Sequence, residues 1–192
     1  MNNPSILQEE HVPVKSRIWI SIADSATAIL QSLVAFSALT YYFIKLRGLD
    51  TGLAGTVWLI FGIWNAINDP LLGYISDRTK SKIGRRLPYI RYGSPLLAFS
   101  FILLWLNIPG SDGNQTLLFI QMLVALFLYD TLYTSIATNI YIMPYEMAVS
   151  NKARSTIYIW KIIFMVFTLV VPMVLERFKP DVGDVAGISS FR

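Results

Sequence analysis

Residues Trp64 to Pro88 read WNAINDPLLGYISDRTKSKIGRRLP, an acid in the middle of an apolar run that ends in a dense basic loop. Around this stretch, 54% of the 192 residues are hydrophobic and 15% are charged, and the mean hydropathy is +0.52. Soluble domains carry about 25% charged residues, so this composition points to a chain that lives in lipid. A hydrocarbon core about 30 Å thick needs roughly 20 apolar residues per helix. Five such runs are present, at about 18–44, 53–76, 88–108, 116–143 and 155–175. The expected fold class is all-α: a polytopic membrane protein with a segment 1–17, a helical bundle 18–175 and a polar tail 176–192.

Several function classes are set aside by what the chain carries. The first run is too long for a signal peptide, lacks a small-residue cleavage site and is interrupted by Asp24, so it is expected to stay in the mature protein. With no cysteine, disulfides, thiolate metal sites and cysteine nucleophiles are excluded. His11 is the sole histidine and lies before the spans. No clustered metal ligands or nucleophile motif accompany it, so neither an enzyme nor a cofactor is expected. The net charge of +4 resides in loops between apolar spans, which fits membrane topology rather than a nucleic-acid partner.

Lysine and arginine fall unevenly on the two sides. One side holds Lys15, Arg17, Arg78, Lys80, Lys82, Arg85, Arg86, Arg91, Lys152 and Arg154; the other holds Lys45, Arg47, Arg177, Lys179 and Arg192. The richer side is expected to be cytoplasmic, which puts the N-terminus inside a plasma membrane and the 176–192 tail outside.

A charge inside a span costs at least about 2.5–3.5 kcal/mol even on the permissive scale, so each one needs a reason. Asp24, Asp69, Asp130 and Lys161 qualify. Asp69 lies deep in the second run, with Asn65 one turn earlier on the same face and Asn68 beside it. A carboxylate with amide oxygens offers the hard ligands that sodium prefers, whereas a lone carboxylate carries a proton. Pro70 weakens the backbone ladder there and frees a carbonyl near Asn65 or Ala66. The alternative is that Asn65, Asn68 and Asp69 only hydrogen-bond to neighbouring helices. Asp24 and Lys161 each lie about six residues, or roughly 9 Å, into their spans from the same side. At that depth a solute contact and a snorkelling structural role are both open. Asp130, with Tyr133 and Thr134 on adjoining faces, suits a polyol or a cation, and again ordinary interhelical bonding.

The basic half of the opening stretch reads as a conformational latch of Gly73, Asp77, Arg78, Gly84, Arg85 and Arg86. Gly73 permits close helix approach, Asp77 ends the span where it can pair with arginines, and Gly84 gives the turn before Pro88 opens the third span.

These residues form N-D-P-x-x-G-x-x-x-D-R-T followed by G-R-R-x-P, with D-T-x-Y-T at Asp130 to Thr134 and M-P-Y-E at Met143 to Glu146. Over essentially its whole length the chain closely resembles the glycoside–pentoside–hexuronide:cation symporters, the melibiose permease relatives within the major facilitator superfamily. The resemblance implies a partial superfamily bundle and a symporter of a small polar solute, such as a sugar or glycoside, driven by Na+ or H+. It assigns the cation site to Asn65, Asn68, Asp69 and Thr134, with Asp69 as the carboxylate for sodium, and solute contacts to Asp24 and Lys161. Asp130 and Tyr133 are grouped with the solute contacts. Asn65 stands where melibiose permeases have an acid, which leaves Na+ and H+ both open. Lys161 replaces the more usual arginine, and no acid follows in T-N-I-Y-I-M-P to grip a sugar. Some relatives resemble lysolipid transporters, so a lysolipid is a further alternative.

The superfamily fold has two six-span halves with the site between them. Five spans make this chain an expected fragment or one part of a split transporter, with a C-terminal half and the lipid bilayer as partners. The competing expectation is a non-transporting scaffold, subunit or degenerate half.

Overall fold

The computed structural model describes residues 12–35, 38–111 and 113–176; most of the expected segment 1–17 and, apart from Glu176, the tail 176–192 lie outside them. The described residues form helices joined by short connections, with no strand among them. Helix α1 spans Val14–Ala35. A short α2, Ala38–Tyr41, runs into a π-helical turn, Tyr42–Leu46. Then follow α3 (Thr51–Arg78), α4 (Leu87–Trp105), α5 (Gln115–Met147) and α6 (Asn151–Glu176).

Capping chemistry sets the starts. The Asp50 carboxylate accepts from the Gly52 and Leu53 amides at 2.8 and 3.1 Å, and Asn114 accepts from the Leu117 amide at 3.2 Å, so orphan N–H groups at α3 and α5 are satisfied. Pro88 sits in the first turn of α4, where its missing N–H costs nothing. Pro70 lies inside α3 without ending it, and the Ala66 carbonyl loses its usual donor.

Helix α5 is the central element, packed against α3, α4 and α1, while α1 also lies along α6. Leu97 and Leu104 of α4 meet a buried α5 row that includes Leu118, Met122, Tyr129, Ile136 and Ile140. At Gly93, a Cβ would stand 3.0 Å from Cγ1 of Ile136, so this glycine sets how closely α4 approaches α5. By contrast α6 exposes Ile159, Ile162, Met165, Phe167, Leu169 and Met173. A helix this apolar on its open surface requires a non-aqueous surround.

Four of the five expected runs, Val14–Leu46, Leu87–Trp105, Gln115–Met147 and Asn151–Val171, are long and apolar enough to cross a membrane. The fifth, α3, has the length, at 28 residues. Its hydropathy is lowered by Asn65, Asn68 and Asp69, the residues singled out above.

The end of the bundle opposite the basic loop is tied by side chains. Arg47 is 6% exposed; its guanidinium donates to the Tyr42 hydroxyl at 3.0 Å, to the Leu106 carbonyl at 3.4 Å and to Ser111 Oγ. Gln115 donates to the Gly48 carbonyl and accepts from the Asp50 amide, both at 2.8 Å. By sequence Arg47 is one of the loop cations; in the fold it is buried as a tie between helix ends.

Candidate functional site

Two rungs join α3 to α5. Thr134 Oγ1 donates to Asp69 Oδ1 at 3.0 Å. Asn68 Nδ2 donates to Asp130 Oδ2 at 3.0 Å. The spacing explains both: Asn68 and Asp69 are consecutive on α3, and Asp130 and Thr134 are one turn apart on α5. Their surroundings differ. Asn68 and Asp130 are 3% and 4% exposed, whereas Asp69 is open away from Thr134. The Asn65 side chain, half-buried one turn before Asp69, makes no hydrogen bond to a described residue. Trp64 stacks on Phe127 at 4.8 Å, closing the α3–α5 seam beside these groups.

On the α1–α6 side, Lys161 Nζ donates to Asp24 Oδ1 at 2.9 Å. The Lys161 side chain is 10% exposed and Asp24 36%. Lys161 is thus turned toward Asp24 as an interhelical pair, an arrangement compatible with a structural role and with a solute contact alike. Tyr133, on α5 between Asp130 and Thr134, stacks its ring on Tyr129 at 5.9 Å.

The Asp69 carboxylate and the Thr134 hydroxyl meet at 3.0 Å, and the Asn65 amide and the carbonyl freed by Pro70 lie within one turn of Asp69 on α3, all of them hard oxygen donors. Among the described residues no three His, Cys, Asp or Glu side chains converge. One carboxylate among neutral oxygens suits a monovalent hard cation better than a transition metal.

The basic loop folds back onto the ends of α3 and α5. Gly84 adopts φ +98°, a backbone region that favours glycine, and this delivers Arg85 and Arg86 to Glu146. Arg86, 4% exposed, donates to Glu146 Oε1 at 2.6 Å, Asp77 Oδ1 at 2.8 Å, Asn139 Oδ1 at 3.1 Å and Ser76 Oγ at 3.4 Å. Arg85 donates to the same Glu146 oxygen at 2.9 and 2.6 Å from Nε and Nη2. Arg85 and Arg86 therefore find partners within this chain, and Glu146, Asn139 and Ser76 belong to the cluster beyond the residues that the sequence singles out. Glu146 was visible in M-P-Y-E; nothing local marks the other two.

Two of the named latch residues stand apart from this cluster among the described residues. A Cβ at Gly73 would meet nothing within 4 Å, so among the described residues no helix approaches it closely; its carbonyl instead accepts from Ser76 Oγ at 3.2 Å. Arg78 lies over the Tyr74 ring at 4.2 Å and makes no ion pair among the described residues, because it points off the exposed side of α3 rather than toward α5.

Residues 19–177 match the family described as MFS/sugar transport protein. An uncharacterized symporter of Synechocystis is 27% identical over 172 residues, 88% of this chain and 31% of that protein. A putative glycoside/cation symporter of Escherichia coli is 25% identical over 148 residues, 77% of this chain and 31% of its own length. Sodium-dependent lysophosphatidylcholine symporter 1 of Xenopus tropicalis is 36% identical over 73 residues, 38% of this chain and 13% of that protein. The chain spans about a third of the length of the first two relatives. With helices suited to crossing a bilayer and a family match over most of its length, this multi-pass membrane protein belongs to the MFS/sugar transport protein family.

Proposed function

We propose that these helices carry the cation site and part of the solute site of a cation-coupled symporter of the glycoside–pentoside–hexuronide type. It would move a small polar solute, a sugar or glycoside, by alternating access, with its basic loop on the cytoplasmic side of the plasma membrane. The observation that carries this reading is the Asp69 carboxylate, held on one oxygen by Thr134 and open on the other side, in a bundle whose α1–α6 side holds the Asp24–Lys161 pair. A cation at Asp69 would cancel its charge and favour the solute-ready arrangement of α1, α3, α5 and α6, and solute would reciprocally tighten the cation. The coupling ion is Na+ or H+. Asp77, Glu146, Arg85 and Arg86 would hold the cytoplasmic ends together between transport steps.

The similarity to the lysophosphatidylcholine symporter of Xenopus tropicalis favours a second reading, a lysolipid as the solute at the same cation-coupled site.

The test is uptake by the complete protein in proteoliposomes under an imposed sodium or proton gradient, with glycosides and lysophosphatidylcholine offered in parallel. Asp69→Asn is expected to lower gradient-driven accumulation by at least about tenfold, within the range of about 5–150-fold typical of coupled sites. Unchanged accumulation in the variant would overturn the assignment, and the solute accumulated decides between the two readings.

A further inference from the structure

Asp130 was grouped with the solute contacts, yet it is 4% exposed and its carboxylate is bonded to Asn68, which is itself 3% exposed. In this bond the Asp130 oxygen Oδ2 is the acceptor and the amide nitrogen the donor. Asp130 therefore dictates which end of the Asn68 amide faces it: the nitrogen, at 3.0 Å. The two ends of a side-chain amide are nearly equal in size, so sterics alone do not choose between them. With the nitrogen committed, Asn68 Oδ1 is turned away from Asp130, and it accepts no hydrogen bond from a described residue. The next residue is Asp69, whose carboxylate is held by Thr134 one turn along α5 from Asp130.

We propose that Asp130 is a positioning residue for a sodium site: it acts through Asn68, fixing the amide so that its carbonyl oxygen, rather than its NH2, serves the ion at Asp69. It touches neither ion nor solute. A reversed amide would put two N–H donors where the ion needs an acceptor, and so repel it. Carboxylates that orient metal ligands from behind act in the same way, and removing them typically weakens metal binding about 10–100-fold. The inference rests on the cation site proposed above at Asp69.

Sodium binding to the complete protein, measured by titration calorimetry without solute, tests it. Asp130→Asn presents Asn68 with either a donor or an acceptor and is expected to weaken sodium binding about tenfold. Asn68→Ala is expected to weaken it similarly, and the double variant no further, because both act through one carbonyl oxygen. Solute affinity at saturating sodium stays at the wild-type value. Where a single variant fails to fold, the exchange Asn68→Asp with Asp130→Asn keeps a carboxylate–amide bond between the same helices and is expected to bind sodium. Additive losses in the double variant, an exchange that folds but binds no sodium, or a loss confined to solute affinity would each overturn the proposal. If the wild type binds no sodium yet couples uptake to protons through Asp69, this inference fails while the proposed function stands; if neither ion couples, both fail.

Discussion

A guanidinium carries five N–H donors, and each left unbonded in a buried site costs about 1–3 kcal/mol. Arg86 meets that demand with Glu146, Asp77, Asn139 and Ser76, while its neighbour Arg85 shares Glu146 from an open position, with 48% of its side chain exposed. The two arginines are indistinguishable in the sequence G-R-R and should not be equivalent in the protein. Arg86→Ala is expected to destabilise the bundle by about 1.5–3 kcal/mol, as for hydrogen bonds to charged groups. Arg85→Ala should cost about 0–1 kcal/mol, as for an exposed ion pair. Thermal unfolding of both variants in detergent checks the order, and equal losses would contradict it. Residue types and helix faces were legible at this scale: Asp69 stood out as an acid in an apolar run. Which oxygen each residue bonds was not, because Asn68 and Asp130 are 62 positions apart and no local signal encodes their meeting.

Helices were the most legible level, since each needs only a sustained apolar run. Helices α3, α5 and α6 run longer than the expected runs at both ends, while α4 stops at Trp105, short of position 108. Helix α5 continues to Met147, past Pro144, and α6 begins at Asn151, because interfacial polar residues extend a helix once its apolar length has set it. Less legible was the π-helical turn at Tyr42–Leu46, which depends on Tyr42 reaching the Trp105 carbonyl at 2.9 Å and Arg47 reaching the Tyr42 hydroxyl. The sequence reads close helix approach at Gly73, whereas among the described residues the close approach is at Gly93 against Ile136; a glycine's neighbour lies on another helix and is invisible in its own. Gly93→Leu is expected to force α4 from α5 at about 1–3 kcal/mol, the usual penalty for overpacking. Its unfolding temperature should fall, whereas that of Gly73→Ala should not.

At the level of the whole molecule, the family resemblance read from the N-D-P and G-R-R segments agrees with the family match over residues 19–177. Orientation follows a physical rule that can be checked cleanly, because the chain has no native cysteine. Lys82→Cys in the basic loop should react with a membrane-impermeant maleimide only from the cytoplasmic face, and Gly113→Cys, between α4 and α5, only from outside. The opposite pattern would invert the proposed topology.

The stack of Trp64 on Phe127 bears on how such a protein can be watched. The Trp64 indole N–H is buried without a hydrogen-bond partner among the described residues, and the ring is adjacent in sequence to Asn65 and one turn from Asn68. An indole in so dry a setting emits at short wavelength. With Trp19, Trp58, Trp105 and Trp160 replaced by Phe, any rearrangement of the α3–α5 seam that admits water would shift the emission of Trp64 to the red, an optical reporter beside the candidate ion site.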